Sequence, residues 1–364
     1  IYGKGLNSLS KPVKNIDLGN SGTSARLLIG LLSAQNFKTH LIGDHSLSKR
    51  PMKRIIYPLI KMGAEITSNN HKLPIIINGK QLHSIKYLLE IPSAQVKSGI
   101  MLAALFAKNK TEIIEKQITR NHTEIMLESF NADINVKKKD KQNHIYINGQ
   151  KELSPKNINI PSDLSSASFF IVAALINKNS YIEMKNINLN PTRDGILKAL
   201  NLMGAKLFIK NKRNINGEIV ADIETKSSEL NGCELNKDMA RLMIDEYPIL
   251  SIAASFANSP SIFKGLGELR VKESDRLELI RYNLDNCGIF SKIIGDDLLV
   301  DPTNNFSPKQ KIIRTDCDHR IAMAFAIMGT RLGINLNIKD SEYIKTSFPK
   351  FIKELNSLGG NLTE

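Results

Sequence analysis

Met62-Gly63-Ala64-Glu65-Ile66 closes an amphipathic stretch that begins at Pro51, and the same sequence logic returns as Met203-Gly204-Ala205-Lys206-Leu207 after Thr192. Weaker copies end at Asn131-Ala132-Asp133-Ile134 after Thr123, at Cys287-Gly288-Ile289 after Ser274 and at Leu358-Gly359-Gly360 after Ser347. Within these stretches apolar residues fall at i, i+3, i+4 and i+7, as in Leu277, Ile280 and Leu284, which predicts a helix with one buried stripe. The small residues at each end suit a C-cap, where Gly takes the left-handed conformation before the chain turns into a strand.

Working outward, a second helix precedes each copy and opens on small or polar residues before turning strongly apolar: Asn20 to Leu32, Ser93 to Ala107, Ser165 to Leu175, Asp245 to Phe256 and Asp318 to Gly329. Each is followed by β-branched or alternating residues: Lys38 to Ile42, Thr111 to Ile114, Ser180 to Met184, Ser261 to Phe263 and Ile334 to Ile338. The unit is helix, strand, helix, strand, repeating every roughly 70 to 85 residues, longer than the usual solenoid periods. It predicts α/β domains assembled from copies. Five copies do not divide into two equal domains. Ile1 to Leu6 reads as the end of a strand and Ile1 stands where Met is expected, so a sixth copy is expected ahead of this chain. Lys151 to Asp163, with two Pro and several Asn and Ser, is the linker. The domains are then 1–157, with two of three copies, and 158–364, with three.

Bulk properties agree and exclude little. At 364 residues the chain exceeds one ordinary core, and apolar residues at 41% can build two. No apolar run reaches bilayer length, so a soluble, cytoplasmic protein with no membrane association is expected. Cys233, Cys287 and Cys317 are odd in number and lack C-x-x-C spacing, and the 7 His are scattered, so neither a disulfide framework nor a metal is expected. The net charge of +14 fits nucleic acid, lipid or a phosphorylated substrate. With aromatics at 6% and none interleaved in the Lys137 to Lys141 run, no nucleic-acid partner is expected.

Chemistry concentrates where the apolar pattern breaks. Asn20-Ser21-Gly22-Thr23-Ser24-Ala25-Arg26 begins a helix with residues that let an anion approach the backbone amides. Gly43 to Met52 places Lys49 and Arg50 before a Pro; it matches neither Walker A nor the Rossmann fingerprint. Ser93-Ala94-Gln95-Val96-Lys97 and Thr119-Arg120-Asn121-His122 repeat the theme, although an N-cap beside a solvated cation would explain each singly. Glu268 to Leu277 is the densest cluster. Its Lys and Arg crowd the positive end of a helix, a disfavoured arrangement unless anions arrive. Asp316-Cys317-Asp318-His319-Arg320 and Ile244-Asp245-Glu246-Tyr247-Pro248 add further charges, with Asp245 alone readable as a cap. Arg26, Arg50, Arg120, Lys272, Arg276 and Arg320 are the candidate anion binders, and Asp245 and Glu273 the candidate acid and base. Two anionic small molecules are the expected substrates.

Four strings, Leu18 to Arg26, Gly43 to Met52, Arg270 to Leu277 and Asp318 to Met323, occur in an order that resembles the 5-enolpyruvylshikimate-3-phosphate synthase family. The resemblance spans Leu18 to Pro349 and is nearest to a bacterial subgroup carrying Ser93-Ala-Gln-Val-Lys-Ser98 and Met243-Ile-Asp-Glu-Tyr-Pro-Ile-Leu250. It implies a two-domain enolpyruvyl transferase fold of repeated βαβαββ units, five of six present here, closing over the substrates. It implies transfer of the enolpyruvyl group of phosphoenolpyruvate to the 5-hydroxyl of shikimate 3-phosphate, with phosphate released, no cofactor and a monomeric enzyme.

The resemblance assigns Asp245 as base or orienting group and Glu273 as the proton donor or acceptor at the methylene carbon. It gives Gly22, Arg50, Gln95, Lys272, Arg276 and Arg320 to phosphoenolpyruvate. Ser93, Ala94, Gln95, Arg120, Asp245 and Lys272 go to shikimate 3-phosphate. It also implies that Gly22 governs tolerance of glyphosate, since tolerant relatives carry Ala there. Two departures stand out. An N-terminal Asp-Lys-Ser-type motif is absent, so the chain as written is expected to be inactive, and Thr346 stands where many members have Lys, leaving Lys345 without a role. A UDP-N-acetylglucosamine enolpyruvyl transferase would carry Cys in the 43–51 loop, and this loop has none.

Overall fold

The computed structural model describes residues 2–302, 309–332 and 335–363. It forms two compact units, 1–159 and 160–364. In the first, strand β1 (Ile16–Asp17), helix α1 (Gly22–Ser33), β2 (Lys38–Ile42), α2 (His45–Lys49), α3 (Lys53–Lys61), β3 (Glu65–Asn69) and β4 (Lys72–Asn78) make one copy. The next is β5 (Lys86–Leu89), α4 (Ala94–Ala104), β6 (Lys110–Glu115), α5 (His122–Ser129), β7 (Asp133–Lys139) and β8 (Gln142–Asn148). Their sheets have the same order, β1-β2-β4-β3 and β5-β6-β8-β7, with the first pair parallel and the others antiparallel. This is the expected βαβαββ unit, the parallel pair joined by a helix that covers the sheet.

The second unit begins with α6 (Leu164–Ile176), β9 (Tyr181–Asn188), α7 (Gly195–Leu202), β10 (Lys206–Ile215) and β11 (Glu218–Lys226), in a sheet ordered β10-β11-β9. The following copy is β12 (Glu234–Leu235), α8 (Lys237–Met243), α9 (Tyr247–Ser255), β13 (Ser261–Phe263), α10 (Arg276–Asn286), β14 (Phe290–Ile294) and β15 (Asp297–Asp301). Its sheet runs β12-β13-β15-β14. The last copy has β16 (Ile312–Ile313) parallel to β17 (Asn337–Ile338), with α11 (His319–Leu332) between them and α12 (Phe351–Ser357) after. Of the strand expected at 334–338, Ile334 lies outside the described residues.

The second helix of each copy ends in the left-handed conformation, at Gly63 (φ 93°), Asn131 (φ 61°), Gly204 (φ 84°), Gly288 (φ 82°) and Gly359 (φ 99°). Where the copy lacks Gly, Asn takes its place, the non-Gly residue best suited to that region. The first helix of each copy is the interior one. In α6 every residue but Ser166 is buried, and α6, α9 and α11 pack on one another at the centre of the second unit. Phe169, Phe325 and Ile252 there are wholly enclosed, each worth about 1.5–3 kcal/mol of burial, which favours this face against solvent. In the first unit α1 crosses α4 at two glycines. A Cβ on Gly30 would fall 2.0 Å from the Gly99 carbonyl oxygen, and one on Gly99 would fall 2.7 Å from that of Arg26.

One expected element is not a strand. Residues 2–6 carry no ladder partner; Leu6 instead donates its amide to the Glu152 carboxylate at 3.0 Å. An extended segment becomes a strand only beside another strand, which patterning alone does not supply. Among the described residues no helix is long and apolar enough to cross a membrane.

Candidate active site

Because the interior helices pack together, their N-termini gather the polar residues that interrupt the apolar pattern. In the first unit Ser21 caps α1, accepting from the Ser24 amide at 3.1 Å, and Ser93 caps α4, accepting from Val96 at 3.4 Å. Gln95, one position after Ala94 at the start of α4, bridges the two helices. Its Oε1 accepts from Arg26 Nη1 at 2.8 Å and its Nε2 donates to Thr23 Oγ1 at 2.8 Å. Arg26 also donates to the Pro51 carbonyl at 3.3 Å, and Arg50 donates to Ser46 Oγ at 3.3 Å. Both guanidiniums converge on Gly22, where an added Cβ would meet Arg26 Nη1 at 2.9 Å and Arg50 Nη1 at 3.1 Å. Two cations at the positive end of a helix favour an anion there. Arg120 sits in the loop between β6 and α5, immediately after Thr119.

The second unit holds a denser network. Arg276, the first residue of α10, is 1% exposed and lies among three carboxylates. Its Nε donates to Asp318 Oδ2 at 2.8 Å, its Nη1 lies 3.3 Å from Asp245 Oδ1 and its Nη2 lies 2.5 Å from Glu273 Oε2. Carboxylates of the same unit thus offset the cost of placing this cation at a helix start, before any anion arrives. Burial alone would lower the Arg276 pKa, but Asp318, Glu273 and Asp245 together raise it, so the guanidinium is charged at any working pH. Burial pushes the Asp318 carboxyl up, yet Arg276 overrides this and holds it below the usual carboxylate range.

Asp318 is set by a tight turn. Asp316 (φ 48°) and Cys317 (φ 63°) both lie in the left-handed region, and the Asp318 amide returns to the Thr315 carbonyl at 3.0 Å. Its Oδ1 then accepts from the Arg320 amide at 2.9 Å, capping α11, while Oδ2 also accepts from Ser274 Oγ at 3.0 Å. Asp245 is not a helix cap. Glu246 occupies the N-cap position of α9, which leaves the Asp245 carboxylate facing Lys272 Nζ at 3.1 Å as well as Arg276. Arg320 Nη1 donates to the Asp245 carbonyl at 3.2 Å and lies 3.9 Å from Glu246 Oε1. His319 is buried beside them. Burial first, and then Arg320 and Arg276 against the opposing pull of Asp318, lower its pKa to about 4.

The structure thus joins Gly22, Arg26, Arg50, Ser93 and Gln95 in one cluster, and Asp245, Lys272, Glu273, Arg276 and Arg320 in another. It adds residues that sequence reasoning passed over. Glu246 accepts from Ser165 Oγ, to which Arg193 donates at 2.6 Å, and Arg193 pairs with Asp163 at 3.1 Å. A signal existed: Thr192-Arg193-Asp194 occupies in its copy the place of Thr119-Arg120-Asn121 in an earlier one.

Cations gathered at helix starts in each unit, with carboxylates among them in the second, suit the binding of anionic small molecules. The sequence matches the family described as EPSP synthase (3-phosphoshikimate 1-carboxyvinyltransferase) over residues 1–355. The 3-phosphoshikimate 1-carboxyvinyltransferase of Ruthia magnifica is 47% identical over 100% of this chain and 82% of its own length. That of Vesicomyosocius okutanii is 45% identical over the same shares. A solved EPSP synthase structure from Acinetobacter baumannii superposes with a TM-score of 0.84 at 41% identity, covering 98% of this chain and 81% of that one. The chain belongs to the EPSP synthase family. It is a transferase of the shikimate pathway: the enolpyruvyl group of phosphoenolpyruvate passes to shikimate 3-phosphate, and both substrates are small molecules.

Proposed function

We propose that the reaction runs on the following assignment. Gly22, Arg50, Gln95, Lys272, Arg276 and Arg320 bind phosphoenolpyruvate. Ser93, Ala94, Gln95, Arg120, Asp245 and Lys272 bind shikimate 3-phosphate. Asp245 takes the proton of the 5-hydroxyl or orients it, and Glu273 exchanges the proton at the methylene carbon. The observation that carries this reading is the carboxylate pair around Arg276. Asp245 and Glu273 both touch one buried guanidinium, so both are held in place before substrate arrives. Addition of the hydroxyl to the enol carbon forms the C–O bond, and the methylene carbon takes a proton. Loss of a proton from the resulting methyl and departure of phosphate restore the double bond. Two fixed carboxyl groups can serve these transfers, while Lys272 and Arg320 offset charge on the tetrahedral intermediate.

The same reading takes residues 1–157 and 158–364 as domains of two and three copies, needs no metal or cofactor, and places a monomeric enzyme in the cytoplasm with no nucleic-acid or membrane partner. The experiment is ligand titration of single variants beside a phosphate-release assay. Arg320→Ala should weaken phosphoenolpyruvate by about 2–5 kcal/mol, the range for removing one partner of a desolvated charge pair, and Arg120→Ala should weaken shikimate 3-phosphate instead. Phosphate release should need both substrates and survive EDTA. Equal effects of both variants on one ligand would break the assignment, and EDTA loss restored by zinc would break the metal-free reading.

A further inference from the structure

On sequence alone, a solvated cation beside an N-cap would be enough to explain Lys97. It is instead 0% exposed, on the fourth residue of α4, with its ammonium 3.1 Å from Glu115 Oε1 and 2.6 Å from Glu124 Oε1. An ammonium in a core persists only where carboxylates offset its lost hydration. The two partners come from different places: Glu115 ends β6 and Glu124 lies in the first turn of α5. Between them runs the loop that carries Arg120.

Glu115 is the hub. Besides Lys97, its Oε1 accepts from the Thr119 amide at 2.7 Å and from Thr119 Oγ1 at 2.5 Å. The far end of the loop is tied to the same helix, because Ser98 and Thr123 share a hydrogen bond at 2.7 Å. The Lys97 amide bonds the Ser93 carbonyl at 3.0 Å, so Lys97 is one turn from the residues that begin α4. A rigid path therefore runs from Ser93 through Lys97 and Glu115 to Thr119, the neighbour of Arg120.

We infer that Lys97 is a positioning residue, which through Glu115 and Thr119 fixes Arg120 relative to the N-terminus of α4 and so sets the affinity for the phosphorylated cyclitol acid. This rests on the assignment of Arg120 to shikimate 3-phosphate. Removing the ammonium would leave two carboxylates buried together. One must then take up a proton or move, and either change loosens the grip of Glu115 on Thr119. Glu124 already carries the strain of the site: burial pushes its carboxyl up, against the pull of Lys97.

Calorimetric titration of shikimate 3-phosphate into Thr119→Val, Lys97→Met, Arg120→Ala and the two double variants with Arg120→Ala tests this, with thermal melts run alongside. Thr119→Val removes one hydrogen bond to a buried carboxylate and keeps the side-chain volume, so it should raise the dissociation constant about tenfold. Lys97→Met should raise it further, and neither should change the constant for phosphoenolpyruvate by more than about twofold. In the Arg120→Ala background both substitutions should become nearly silent, since a residue acting through Arg120 has nothing left to act on. Should Lys97→Met fail to fold, Thr119→Val and its double variant decide alone. Additive losses, or an unchanged constant in Thr119→Val, overturn the inference while sparing the assignment. An Arg120→Ala variant that binds normally overturns both.

Discussion

Arg276 Nε donates to Asp318 Oδ2 at 2.8 Å, and both side chains are closed to solvent. A buried charge of this kind is stable only as part of its set, so Arg276→Ala should do more than remove a ligand contact. With Asp318, Glu273 and Asp245 left facing one another, stability should fall by about 3–5 kcal/mol. Phosphoenolpyruvate should bind more weakly by about 2–5 kcal/mol in whatever fraction folds. Urea unfolding with and without the ligand separates the two, and a variant as stable as the parent would contradict the enclosed network.

Gly22 faces two guanidinium tips rather than backbone, so Gly22→Ala should fold normally. The methyl must displace Arg26 Nη1 and Arg50 Nη1, which would lie 2.9 and 3.1 Å from it, by a few tenths of an ångström. Phosphoenolpyruvate affinity should fall modestly, and the inhibition constant for the longer glyphosate should rise more than the Michaelis constant. Parallel rises in the two constants would show that the methyl excludes substrate and inhibitor alike.

His319 makes stability depend on pH. Its pKa is about 4 in the fold against an ordinary 6.5, so below 6.5 the unfolded chain binds a proton that the folded chain refuses. Stability is full above pH 6.5 and is lost as pH falls toward 4, by up to about 3 kcal/mol for this group. Asp318, whose pKa is also lowered, adds a loss in the same direction at still lower pH. Urea unfolding of the parent and of His319→Asn across this window should show a shallower pH slope in the variant. Equal slopes would mean that His319 is not held neutral.

Gly30→Ala should force α1 away from α4, because the added carbon falls 2.0 Å from the Gly99 carbonyl oxygen and backbone cannot step aside. The expected cost is about 1–3 kcal/mol or more. Binding should weaken with it, since Gln95 holds Arg26 and Thr23 across that crossing. A melting temperature and a shikimate 3-phosphate affinity both equal to the parent's would refute the close approach.

What the sequence determined by itself was the periodic part of this protein. Apolar spacing is a property of one helix or strand, and a left-handed turn after a helix selects Gly or Asn locally, so the copies, their helix ends and most strands were legible. The charged strings at the helix starts were legible too, and with them the family. Partners were not. Nothing in Glu268 to Leu277 states that Asp318, 42 residues beyond Arg276, neutralises its guanidinium. Lys97 reads as a surface cation until β6 and α5 bring Glu115 and Glu124 against it. Gly30 and Gly99 are unremarkable residues until two helices cross at them. Only the tertiary structure decided these, because burial of a charge and the clearance of a glycine depend on which distant elements pack together, and periodicity specifies a buried face without naming what covers it.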